Sequence, residues 1–304
     1  MKKVIAIVGP TASGKTSFSI SLAKAIGAEI VSGDSVQVYR GLDIGSGKIK
    51  EEEKEGIKHY LIDILSPKEN YSVAMFQRMA REIIDGSDKP IIICGGTGLY
   101  LKACLYDYTF NFEEGPNTDP ELEKMDNESL YELLKKIDPT QAEKIHPNNR
   151  RRLMRSITIA QRSEKRQSEM IDEQEHGLIY DAAVVGCTMD REVLYERINQ
   201  RVLKMMEEGL EEEVKSLIDQ GVTFNDQSMQ AIGYKEWRSF LEGAMSREEV
   251  VEDIQKHSRQ FAKRQYTWFR NQMNVNWFNP SDIKDAESMI EAIKEWRFED
   301  GNIK

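Results

Sequence analysis

The run Gly9-Pro10-Thr11-Ala12-Ser13-Gly14-Lys15-Thr16 follows the apolar stretch Val4-Ile5-Ala6-Ile7-Val8 and matches G-x-x-x-x-G-K-[ST] in the order strand, loop, helix. Such a loop grips a polyphosphate. Gly9 and Gly14 let the backbone turn so that successive N–H groups face one anion, Lys15 brings a positive charge to its oxygens, and the Thr16 hydroxyl is offered to Mg²⁺. A second chemical group is Asp34, at the end of the apolar run Ala28-Glu29-Ile30-Val31-Ser32-Gly33. Strands of a parallel sheet deliver their carboxyl ends to one edge, so Asp34 and the phosphate loop are expected to share a crevice. A carboxylate there is suited to take a proton from a substrate, or else to cap the helix that follows.

A nucleoside triphosphate site usually adds a second acid at a strand end to hold the magnesium water shell. Ile91-Ile92-Ile93-Cys94 runs into Gly95-Gly96-Thr97-Gly98 with no acid at its tip. Asp63, after His59-Tyr60-Leu61-Ile62, serves equally as that acid or as a turn residue.

The elements that must position these groups are legible in outline. Residues 1–110 alternate apolar strands with helical patterns, as in an α/β fold with a parallel sheet and crossover helices of the P-loop NTPase-like type. Phe110 to Asn117 breaks the pattern with turn formers. Residues 111–180 then read as an inserted helical domain, with Asp138-Pro139 and His146-Pro147 as helix boundaries and His146 as a turn residue or a ligand. The sheet resumes at Asp181–Cys187 within 181–304, followed by one long helix from Arg191 to Gln220, further helices and a short Val275–Phe278 strand.

The chain has 304 residues and is 39% apolar, enough for a large core and roughly two domains. Cys94, Cys104 and Cys187 are isolated, which suits a reducing compartment and gives no structural zinc spacing. The chain passes into a core strand straight after Lys2-Lys3 and holds no apolar run long enough to span a bilayer, so a cytoplasmic protein without membrane association is expected.

A net charge of −10 argues against a nucleic-acid partner as a sum, but charge distribution matters more. Glu51–Glu53, Glu207-Glu208 and Glu211–Glu213 read as solvated helix faces. Cations gather at Arg150-Arg151-Arg152-Leu153-Met154-Arg155, continuing to Arg162, Lys165 and Arg166, and again from His257 to Arg270, where Phe261, Tyr266, Trp268 and Phe269 are interleaved. Each patch suits RNA held by charge and stacking, a solvated helix face, or an arginine lid over a nucleotide.

Ordered blocks along nearly the whole chain resemble the bacterial tRNA dimethylallyltransferase (IPP transferase) family: Gly9–Thr16, Asp34–Arg40, Gly41–Gly45, Tyr71–Ala74, Gly95–Tyr100, Ile145–Asn148, Ala231–Lys235 and Ala262–Arg270. Three places depart from the family pattern: Ser46-Gly47-Lys48-Ile49 stands for Thr-Ala-Lys-Pro, Met75 for an Asp, and Arg155-Ser156-Ile157-Thr158 for Arg-Ala-Leu-Glu. The resemblance implies transfer of a dimethylallyl group from dimethylallyl diphosphate to N6 of the adenosine 3′ of the anticodon, position 37 of tRNA, so that the loop holds a diphosphate leaving group with Mg²⁺. It implies Asp34 as base in the catalytic site with Thr16 and Thr97, and contacts to the diphosphate from Thr97 and an arginine of Arg197–Arg201, Arg201 being favoured there over a solvated charge on an amphipathic helix. It further implies that Asp34, Ser35, Val36 and Gln37 meet the target base, and that Arg151, Arg152, Leu153, Met154 and Arg155 face the anticodon arm. RNA and diphosphate would enter opposite mouths of a channel, and no stable protein partner is implied. The alternative is a small-molecule kinase of the phosphate-loop class, with Asp34 orienting an acceptor hydroxyl and Arg150–Arg155 as lid. A bare RNA-binding or nucleotide-sensing protein has no use for a base beside Lys15 and Thr16.

Overall fold

The computed structural model describes residues 1–110, 119–162, 166–172 and 177–298. The turn-forming residues after Phe110 and the cation Lys165 lie outside them. Six strands, β1 (Lys3–Val8), β2 (Glu29–Ser32), β3 (His59–Tyr60), β4 (Ile91–Cys94), β5 (Asp181–Cys187) and β6 (Asn276–Phe278), form one sheet in the order β3-β2-β4-β1-β5-β6. Every neighbouring pair is parallel. The β1–β4 register pairs Ile7 with Cys94, and the β1–β5 register pairs Val8 with Gly186.

Side chains on these strands are buried on both sides, because a parallel sheet is covered on both faces. Val4, Ala6, Val8, Val31, Ile91 and Ile93 enter one core, and Ile5, Ile7, Ile30 and Ile92 enter the other. The second core is closed by α1 (Lys15–Ile26) through Phe18, Ile20 and Leu22, together with Ile293. The first is covered by α2 (Val73–Gly86) and α3 (Gly98–Leu105) through Phe76, Ala80, Leu101 and Leu105.

The chain divides into two units, Met1–Tyr106 with Leu178–Lys304, and Asp107–Gly177. The second contains α4 (Pro120–Lys124), α5 (Asn127–Ile137), α6 (Pro139–Lys144), α7 (Arg150–Arg162) and α8 (Gln167–Asp172) around Leu122, Leu130, Leu134, Leu153 and Ile157. Asp126 and Asp138 cap α5 and α6 by accepting backbone N–H groups of Ser129 and Gln141.

After β5 the first unit continues with α9 (Arg191–Glu207), α10 (Leu210–Asp219), α11 (Trp237–Leu241), α12 (Arg247–Gln272) and α13 (Ile283–Phe298). The expected single helix from Arg191 to Gln220 is therefore two. Gly209, at φ +98°, takes the left-handed conformation that ends one helix and turns the chain into the next. The expected strand through Asp63 stops at Tyr60, because Leu61 and Asp63 also have positive φ. Ser246 and Glu249 form a capping box at the start of the 26-residue α12. No helix among the described residues is long and apolar enough to cross a membrane.

Candidate active site

Beyond the tip of β1, Gly9 has φ +140°, and a β-carbon there would lie 2.6 Å from the Cys187 carbonyl oxygen. Gly14, at φ +89°, precedes α1 and aims the first N–H groups of that helix at the loop. Lys15 donates to the Pro10 carbonyl at 2.5 Å. Burial pushes its ammonium down from the usual lysine range, the nearby Arg201 charge acts the same way, and Asp34 opposes both. The Ser13 hydroxyl is buried and has no hydrogen-bond partner among the described residues. A loop of N–H donors with two half-buried cations beside it is built to receive an anion.

Thr11, Ala12, Ser13, Gly14, Lys15 and Thr16 line a cavity of about 610 Å³. Asp34, Ser35, Val36 and Gln37 line the same cavity, as does Arg201 from α9. Asp34 Oδ1 accepts the backbone N–H of Val36 at 2.7 Å and of Gln37 at 3.2 Å. The carboxylate thus closes a turn, where a helix cap was the alternative, because no helix follows. Gln37 Nε2 donates to the Gly47 carbonyl at 3.4 Å, and Arg201 Nη2 donates to the same oxygen at 3.3 Å. Burial lowers the affinity of Arg201 for its proton, and Asp34 is the largest opposing influence. Arg201 is half-buried: Leu194, Ile198, Val202 and Met205 are buried on the same side of α9, and Arg201 lines the cavity beside them.

Other expected residues lie elsewhere. Gly9 and Pro10 shape the loop without lining the cavity, and Thr97 stands one residue beyond Gly96, which does. Thr97 precedes α3 and accepts the N–H groups of Tyr100 and Leu101 through its carbonyl. Asp63 is off the cavity, sits at φ +56°, and pairs with Lys48 at 2.5 Å. Asp63 thus sits in a bend held by Lys48, and Asp34 is the acid that lines the cavity. His146 is exposed and its Nδ1 accepts the Asn148 N–H, as a turn residue does.

Several functional contacts escaped the sequence. Gln265 on α12 accepts the Thr11 N–H at 3.0 Å and donates to the Gly96 carbonyl at 3.0 Å, tying the phosphate loop to the segment after β4. The glycines there permit close approach: a β-carbon would lie 2.4 Å from Gly33 at Gly95, 2.2 Å from Gln265 at Gly96 and 2.0 Å from Trp268 at Gly98. Most rings of α12 are likewise engaged within the fold. Phe269 is buried, Trp268 packs on Gly98, and the Tyr266 hydroxyl donates to Thr188. Phe269 is thereby taken up by the core, whereas Trp268 stays half-buried and Phe261 is exposed and lines the cavity. Glu213 is also no solvated charge; its carboxylate binds the backbone of residues 43–45.

In the helical unit the arginine run divides by role. Arg150 donates to the carbonyls of Leu122, Glu123 and Met125 and so caps α4. Leu153 and Met154 are buried in the unit's core. Arg151, Arg152 and Arg155 are exposed and present an exposed cationic face of α7.

A family profile described as IPP transferase matches residues 37–272. The chain is 50% identical over 299 residues to a tRNA dimethylallyltransferase of Anoxybacillus flavithermus, covering 96% of this chain and 95% of that one. It is 51% identical over 298 residues to a tRNA dimethylallyltransferase of Bacillus licheniformis, covering 95% of each. Among solved structures, a tRNA delta(2)-isopentenylpyrophosphate transferase of Staphylococcus epidermidis aligns with TM-score 0.71 at 44% identity over 97% of this chain and 98% of that one. A eukaryotic dimethylallyltransferase acting on tRNA aligns with TM-score 0.85 at 28% identity, covering 100% and 81%.

Proposed function

The chain belongs to the IPP transferase family, and on that premise we propose that it moves the dimethylallyl group of dimethylallyl diphosphate onto N6 of the adenosine 3′ of the anticodon in tRNA. The observation that carries this reading is the convergence of Lys15, Arg201 and Asp34 on one cavity with the phosphate loop. Two half-buried cations and the loop N–H groups match a leaving group whose negative charge grows as its bond to carbon breaks. A carboxylate in the same cavity matches a nucleophile that must lose a proton.

In this reading N6 attacks the allylic C1, the bond from C1 to the diphosphate oxygen breaks, and the diphosphate leaves on Lys15, Arg201 and the loop. Asp34 uses Oδ1 for its turn, so Oδ2 is the oxygen that takes the N6 proton. Ser35, Val36 and Gln37, next to it on the wall, meet the extruded base. Thr97 acts at the edge of this site through the Gly95–Gly96 segment. Arg151, Arg152 and Arg155 hold the anticodon arm through its phosphates.

A divalent ion fits the donor set. Among the described residues no group of three or more His, Cys, Asp or Glu could hold a metal, yet Thr16 presents a hydroxyl to the cavity. Mg²⁺ keeps most of its ligands as water and phosphate oxygen, so few protein donors are needed. Bound there by Thr16, it would neutralise charge on the diphosphate.

Thermal unfolding tests the choice of donor, since a ligand stabilises by RT ln(1 + [L]/Kd). Dimethylallyl diphosphate with Mg²⁺ should raise Tm where equal ATP does not. A shift with ATP alone would return the protein to the kinases.

A further inference from the structure

Four donors converge on the carboxylate of Glu213, on the apolar side of α10 with Leu210, Val214 and Leu217. Its Oε2 accepts the N–H groups of Asp43 at 3.0 Å and Ile44 at 2.7 Å, and its Oε1 accepts the Gly45 N–H at 3.1 Å and the Tyr234 hydroxyl at 2.7 Å. The Tyr234 oxygen in turn accepts the Ser46 N–H at 3.1 Å. Four consecutive backbone N–H groups are thus held by two side chains from distant segments. Tyr234 is buried, and its ring lies where a β-carbon on Gly45 would come within 2.6 Å. Burial first, and then the Glu213 charge, pushes the Tyr234 phenol well above its ordinary range, so it stays a donor to the carboxylate.

The next residue gives this latch its consequence. Gly47 has φ +58°, and its carbonyl receives both Arg201 Nη2 and Gln37 Nε2. Gly45, Ser46 and Gly47 all line the cavity. Neither Glu213 nor Tyr234 lines it. Resting on the transfer reading above, we infer that Glu213, with Tyr234, is a positioning residue: it fixes the 43–47 loop so that the Gly47 carbonyl seats Arg201 for the diphosphate.

Glu213→Gln keeps the shape but turns one acceptor oxygen into a donor facing N–H groups. It breaks up to two of the four bonds and removes the charge. KM for dimethylallyl diphosphate should rise about tenfold, with a smaller fall in kcat, as expected when an interaction with charged groups is lost. In an Arg201→Ala background the same change should move KM by less than about twofold, because coupled residues are not additive. An unchanged KM in Glu213→Gln, or an equal rise in both backgrounds, would overturn the assignment. If Glu213→Gln does not fold, Tyr234→Phe in both backgrounds decides by the same comparison, since its ring still fills the space against Gly45. Should the wild-type chain transfer no dimethylallyl group, the transfer reading fails separately. The latch is then judged by inorganic diphosphate binding in calorimetry, weakened by Glu213→Gln where Arg201 is present and overturned if it is not.

Discussion

Asp34 Oδ1 lies 2.7 Å from the Val36 backbone nitrogen and accepts its N–H, so one oxygen of a carboxylate that lines the cavity is committed to the fold. Asparagine retains an oxygen for the turn but is no base, whereas alanine loses both. Asp34→Asn should therefore abolish transfer while Tm stays near wild type, and Asp34→Ala should abolish transfer and lower Tm as well, by about 1 kcal/mol of stability. Paired turnover and melting measurements check this, and turnover in Asp34→Asn near the wild-type rate would remove Asp34 from the chemistry.

Gln265 is buried and satisfies one N–H and one C=O of two loops. Gln265→Ala would leave both without a partner, at a cost of about 1–3 kcal/mol each when they stay dry. Denaturant unfolding should show that loss, and KM for dimethylallyl diphosphate should rise because Thr11 is no longer held. Wild-type stability would mean that water replaces the amide.

Arg150 and Arg152 are two residues apart and should respond in opposite ways. Arg150→Ala uncaps α4 and should lower the stability of the helical unit by about 1–3 kcal/mol. Arg152→Ala should leave Tm unchanged, weaken tRNA binding, and reduce the salt slope of log K by about one. Titrations at several salt concentrations separate the two, and a normal slope in Arg152→Ala would take it off the RNA.

His59 lines the cavity, and burial lowers its pKa from the ordinary histidine value. A base whose pKa is lower when folded gives stability that is complete above the unfolded value, about 6.5, and is lost as pH falls through it. Stability should therefore decline more steeply in wild type than in His59→Gln as pH falls below the unfolded histidine value of about 6.5. Parallel acid limbs in urea titrations would show that His59 does not contribute.

The legible part of the site was local in sequence. Gly9 to Thr16 announces itself because one loop does the binding, and Asp34 was placed by the strand before it. Glu213 was misread because its partners Asp43 to Gly45 are some 170 positions away. Yet its spacing from Leu210 and Leu217, three and four residues, already set it on the buried side of α10. The glycines at 95, 96 and 98 signalled close approach, but nothing nearby told that Gln265 and Trp268 were what approached. Arg150 looked like its neighbours because a helix start carries no mark of the carbonyls that a distant helix presents.

The most direct measurement is mass spectrometry of nucleosides from unmodified tRNA bearing adenosine 3′ of the anticodon, after incubation with the protein, Mg²⁺ and dimethylallyl diphosphate, in parallel with the Asp34→Asn variant. A dimethylallyl adduct on that adenosine with the wild-type protein, absent with the variant, is the predicted result. Wild-type protein that leaves the adenosine unmodified, under conditions where a tRNA dimethylallyltransferase of Bacillus licheniformis modifies it, would contradict the account.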